Sequence, residues 1–137
     1  MANKIRLKSL ALAGGVFVAV TAAQAGAVPT TLSGQWAGER LQLVIDAQGG
    51  RVESDCASGR FLGPVTASAG GTFSAQGSFE THQPGPQQAD ASAPPSARYS
   101  GELQGNVLKL TITPAGASAA QVYTLQSGAR IKLLRCL

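Results

Sequence analysis

Hydrolytic chemistry by a nucleophile would need a histidine, a hydroxyl and a carboxylate to meet, and this chain has one histidine, His82. In a triad the imidazole is held by a carboxylate and stands beside a Ser or Thr hydroxyl. Asp90 and several serines share the stretch that follows His82, but that stretch is rich in proline and has no periodicity to fix them. His82 therefore reads as a solvated loop residue. A single histidine also cannot build a multi-histidine metal site. Asp46, Glu53, Asp55 and Glu80 are the main carboxylates on predicted strands. A glycoside hydrolase needs two carboxyl groups facing across a cleft at a defined separation. Here Glu53 and Asp55 fall on one face with Arg51, the pattern of a solvated surface. No Walker loop, dinucleotide glycine fingerprint, H-E-x-x-H pair or calcium loop is present. No catalytic, cofactor or metal site is expected, and the chain is not expected to be an enzyme.

The remaining reactive side chains are Cys56 and Cys136. They allow one intramolecular pairing and lack the C-x-x-C spacing of a catalytic dithiol. Their oxidation state depends on compartment, and the first 25 residues address that question. Lys4, Arg6 and Lys8 form a positive start, residues 10–23 are an apolar run, and Ala23-Gln24-Ala25 or Ala25-Gly26-Ala27 offers a small-x-small cleavage site. The run is about fourteen residues, shorter than the roughly 20 a spanning helix needs. Residues 1–25 therefore read as a cleaved signal peptide. No cysteine stands near the cut for lipid attachment. The product is expected to be exported, to the periplasm or the medium, with no stable membrane insertion after cleavage. Export favours a Cys56–Cys136 disulfide. Closing a loop with cysteines 80 apart stabilises by at most about 4–5 kcal/mol in the chain-entropy picture.

Cleavage also changes the charge. The full chain is +4, from eleven Lys and Arg against seven Asp and Glu. Three of the eleven leave with the signal, so the basic character belongs largely to the discarded segment. Nucleic acid is not an expected partner. Roughly 110 residues remain, enough for one domain.

Residues 26–32 read as a flexible leader, and 33–137 as one β domain. Leu41, Leu43 and Ile45 alternate with Gln42, Val44 and Asp46, the period of a half-buried strand. Further strands are predicted over 51–56, 60–67, 73–80, 98–103, 107–113, 119–126 and 130–136. Gln48-Gly49-Gly50, Ala57-Ser58-Gly59, Gly70-Gly71, Gln104-Gly105-Asn106 and Ser127-Gly128 read as the turns between them. Residues 81–97, with five prolines and glycines, read as a long mobile loop. No helical stripe competes after residue 25. The expected fold is all-β, a single antiparallel up-and-down barrel of seven or eight strands, because most turns are too short to skip a strand and closure removes sheet edges. A β-sandwich is the alternative, with 81–97 as its crossover.

Gly34-Gln35-Trp36 opens the first strand. This resembles the G-x-W start of the calycin barrels, the lipocalin and avidin-like group. The resemblance implies that an arginine from the last strand, Arg130 or Arg135, packs over Trp36 at the closed end of the barrel. A guanidinium over an indole face gains cation–π attraction. Read on its own, Trp36 is a core residue. Trp36, Phe61, Phe73, Phe79, Tyr99 and Tyr123 either line a ligand cavity or fill a core otherwise short of bulk, and so few aromatics favour the core. Two functions follow. One is an exported barrel binding a small apolar or envelope-derived ligand, with 81–97 as a lid. The other is a structural or protein-interaction domain of the envelope with a filled core.

Overall fold

Strict alternation of apolar and polar residues dictates strands, and the computed structural model, which describes residues 28–86, 92–134 and 136, is built from them. The signal peptide expected at 1–25 lies outside the described residues, as does the start of the expected leader. The strands are β1 (Thr30–Thr31), β2 (Gly34–Gly38), β3 (Leu41–Asp46), β4 (Gly49–Ser54), β5 (Ala57–Leu62), β6 (Thr66–Ala67), β7 (Thr72–Thr81), β8 (Ser96–Gln104), β9 (Val107–Pro114) and β10 (Gln121–Ser127). Eight of them close into an antiparallel barrel in the order β10-β2-β3-β4-β5-β7-β8-β9. The sandwich does not form. Among the described residues no helix is long and apolar enough to cross a membrane.

Register sorts the side chains. Trp36 stands opposite Leu43, Leu43 opposite Val52, Val52 opposite Gly59, and Gly59 opposite Phe79. Phe73, Gly101 and Leu110 make a second inward row, and Tyr99 and Ile112 a third. These residues form one continuous core. β1 and β6 pair apart from the barrel, and the Leu32 N–H donates to the Val65 carbonyl at 2.8 Å. Leu32, Val65 and Ala67 are buried and join the core, closing the end at which β2 begins.

The barrel closes where β10 meets β2, and this ladder has two registered pairs, Gln126 with Ala37 and Ser127 with Trp36. Side chains extend it. Glu39 and Arg40 form a two-residue turn with φ of 49° and 62°. That left-handed geometry matches the twist of a hairpin, yet costs ordinary residues about 1–2 kcal/mol each. Glu39 offsets part of this by accepting the Thr124 N–H at 2.6 Å, just beyond the last registered pair. Gly38 permits the approach, since a Cβ there would sit 2.5 Å from the Thr124 carbonyl oxygen.

Four sequence expectations are corrected. Residues 57–59 are not a turn: Asp55-Cys56 makes the connection, and Ala57 already pairs with Thr81 in β5 and β7. The 60–67 strand splits into β5 and β6 around Gly63-Pro64. The 81–97 loop is shorter, because Thr81 ends β7 while Ser96 and Ala97 begin β8. Residues 130–134 form no ladder. They run as a strap: the Gly128 N–H donates to Gln35 at the start of β2, and the Leu134 N–H donates to Asp55 at the opposite end. Extended chain over that stretch spans about 20 Å, the length of a barrel strand. Ala129, Ile131 and Leu133 are half-buried and Arg130, Lys132 and Leu134 exposed, so the alternation was a packing signal without a pairing partner. The Cys56–Cys136 disulfide, with Cα atoms 5.2 Å apart, anchors the far end of the strap.

Candidate functional site

A barrel can bind inside or outside, and the interior is occupied by its own side chains. Tyr99 is fully buried at the centre, with the Phe61 ring centroid 4.7 Å away and tilted by 43°. The Phe73 ring centroid lies 6.2 Å from that of Phe61. Room for these rings comes from glycines on neighbouring strands of the same wall. A Cβ at Gly50 would overlap the Phe61 ring, one at Gly101 the Phe73 ring, and one at Gly59 the Tyr99 hydroxyl. Small and large residues thus interlock between nearby strands, as a packed interior requires. The Tyr99 O–H donates to the Ser78 carbonyl at 2.6 Å, and burial pushes its pKa well up, so it stays a neutral donor. Burial, and then the nearby Glu39 carboxylate, also raise Tyr123, whose O–H donates to Gln121 Oε1 at 2.7 Å.

Trp36 is buried beside the β10–β2 seam, opposite Ser127. Its Nε1 is the one buried side-chain nitrogen or oxygen without a hydrogen-bond partner among the described residues. Arg130 follows the last barrel strand and is exposed, whereas Arg135 lies outside the described residues.

On the outer wall the structure corrects the reading of His82. It is half-buried rather than solvated. Its backbone N–H donates to the Cys56 carbonyl at 2.7 Å, and its ring Nε2 lies 2.9 Å from Ser58 Oγ. Asp90 lies outside the described residues, and among those described no carboxylate orients the other ring nitrogen. The pair is a serine–histidine hydrogen bond without the third member a triad uses. Sequence reasoning missed it because Ser58 was placed in a turn, when it belongs to a strand one residue beyond Ala57.

The carboxylates have separate tasks. Asp46 accepts the N–H of Gln48 at 2.8 Å, fixing the β3–β4 turn. Asp55 pairs with Arg40 and accepts the Leu134 N–H at 2.7 Å, and these two partners hold its carboxyl below the usual range. Glu53 and Glu80 flank Ser58 across β4, β5 and β7 on the outer face. No group of three or more His, Cys, Asp or Glu among the described residues could hold a metal.

Two open grooves lie side by side on this wall. One, of about 300 Å³, is bordered by Val44, Asp46, Arg51, Arg60 and Leu62. The other, of about 370 Å³, is bordered by Arg51, Glu53, Ser58, Arg60, Glu80 and Pro94. Arg51 and Arg60 belong to both, and they are direct partners across β4 and β5. Two like charges placed opposite each other destabilise a sheet by roughly 0.2–1 kcal/mol. Sequence pattern marked Arg51 as outward; its partner could only be known from register. No protein family matches this chain, and no curated protein or solved structure matches it significantly.

Proposed function

We propose that this chain is an exported, non-catalytic barrel of the cell envelope that works through its outer surface, as a structural or protein-interaction domain with a filled core. The observation that carries this reading is the interior: Tyr99, Phe61 and Phe73 are buried there, each ring in the place a side chain at a nearby glycine would take. The Cys56–Cys136 disulfide belongs to an oxidising, non-cytoplasmic setting, and the N-terminal export pattern agrees with it. Within this reading the Gly34-Gln35-Trp36 resemblance concerns how the barrel closes, with Trp36 as a plug beside the seam.

The test is a titration of the mature chain with dodecanoate, followed by NMR. The expected result is no saturable shift at Tyr99, Phe73 or Leu110. Saturable shifts at those residues would restore the ligand-in-barrel reading and remove this one.

A further inference from the structure

We propose that Arg51 and Arg60 together form a binding site for one phosphate group on the outer wall of the barrel. This rests on the reading that the outer surface, and not the interior, carries recognition. The register makes the two arginines direct partners, and alternation turns both outward, since Val52 and Phe61 beside them point into the core. Their other cross-strand neighbours, Val44 and Ser78, carry no charge. Elsewhere on the same barrel the sheet pairs opposite charges, as with Glu102 against Lys109. Among the described residues neither arginine has an ion pair; the one ion pair there is Arg40 with Asp55. The nearest carboxylates are Glu53 and Glu80, one row toward the β4–β5 turn, and Asp46, which is committed to its own turn.

Two guanidinium forks side by side repel until an anion sits between them. Each fork can give two parallel N–H donors to a pair of oxygens. A phosphate has enough oxygens and charge to satisfy both forks, whereas a single carboxylate satisfies one. Ser58, whose hydroxyl is held by His82 Nε2, lines the same groove together with Glu53 and Glu80, so the two arginines alone supply the donors for the anion. The phosphate could be free or belong to a phospholipid headgroup. Leu62, 82% exposed and two residues from Arg60 on the same face, borders the adjoining groove.

The experiment is an NMR titration of the mature chain with inorganic phosphate at constant ionic strength, with parallel co-sedimentation on phosphatidylglycerol and phosphatidylcholine vesicles. The expected result is saturable shifts at the amides of Arg51, Ser58 and Arg60 and at the Nε of both arginines. Binding should weaken at least tenfold in Arg51→Gln and in Arg60→Gln and stay unchanged in Arg98→Gln, which alters a different part of the outer wall. Arg60→Gln should not lower the melting temperature, because it relieves the repulsion, so loss of binding cannot be blamed on unfolding. A response to phosphate alone identifies the free ion. Pelleting with phosphatidylglycerol that needs both arginines identifies the headgroup. Both outcomes support the site. Shifts that do not saturate, that are as large at Arg98, or that survive both substitutions, with no arginine-dependent pelleting, overturn it. In that event a silent interior in the dodecanoate titration leaves the surface reading standing, while an interior response removes that reading instead.

Discussion

Replacing Gly101 with alanine sets one methyl group against the Phe73 ring. The ring is 5% exposed and packs near Phe61, with centroids 6.2 Å apart, so a shift would disturb its neighbours. Overpacking of this kind costs about 1–3 kcal/mol. Alanine also restricts the unfolded chain more than glycine does, which returns about 0.4–1 kcal/mol. The expected net loss is about 1–2 kcal/mol, or roughly 5–15 °C in melting temperature for a domain of this size. Urea unfolding of the mature chain, followed by circular dichroism, reads it directly. Gly70→Ala is the control, because the nearest atom to a Cβ there is the Ser68 hydroxyl at 3.9 Å; it should be neutral or slightly stabilising. Adding Phe73→Leu to Gly101→Ala should give a coupling of at least about 0.5 kcal/mol, since the smaller side chain makes room for the methyl. If Gly101→Ala behaves like Gly70→Ala, the ring has swung into empty space and the barrel is not filled.

Three further outcomes are expected. Cys136→Ser should release the strap, lowering stability by up to about 4–5 kcal/mol while the far-ultraviolet spectrum stays that of a barrel; loss of exchange protection at the Leu134 amide would mark the release. Tyr99→Phe should cost about 1–2 kcal/mol in urea unfolding, because it removes the hydrogen bond to the half-buried Ser78 carbonyl. Asp55, held low first by Arg40 and then by the Leu134 N–H, binds its proton less readily in the folded chain than in the unfolded one. Its contribution is therefore fully present above about pH 4 and is lost as pH falls through the lower folded value. Hydrogen exchange at Leu134 should accelerate in that acid window, and Asp55→Asn should abolish the pH step.

Much of this wall-by-wall arrangement was legible in sequence because side chains alternate across a sheet with period two. Leu41, Leu43 and Ile45, and Phe73 and Phe79, all point inward as their spacing required. The failures share a cause: residues whose role is set by a partner distant in sequence. Ser58 and Gly59 have the composition of a turn, yet Gly59 sits mid-barrel because the Tyr99 hydroxyl occupies the place of its side chain. Residues 130–134 alternate like a strand, but β10 and β2 already close the barrel, so packing, the Leu134–Asp55 hydrogen bond and the disulfide beyond hold them instead of a ladder. The opposition of Arg51 and Arg60 depends on a two-residue connection at Asp55-Cys56 rather than a turn at 57–59. Moving the turn changes every partner along β4 and β5.

Tyr99, Phe61, Phe73 and Leu110 fill the interior of the barrel with the protein's own side chains. Crystals of the mature chain pressurised with xenon test that filling most directly, since the gas settles in apolar voids whatever the natural ligand. The expected map has no xenon among Tyr99, Phe61, Phe73 and Leu110. A xenon atom enclosed by those four side chains would contradict the claim and return recognition to the interior.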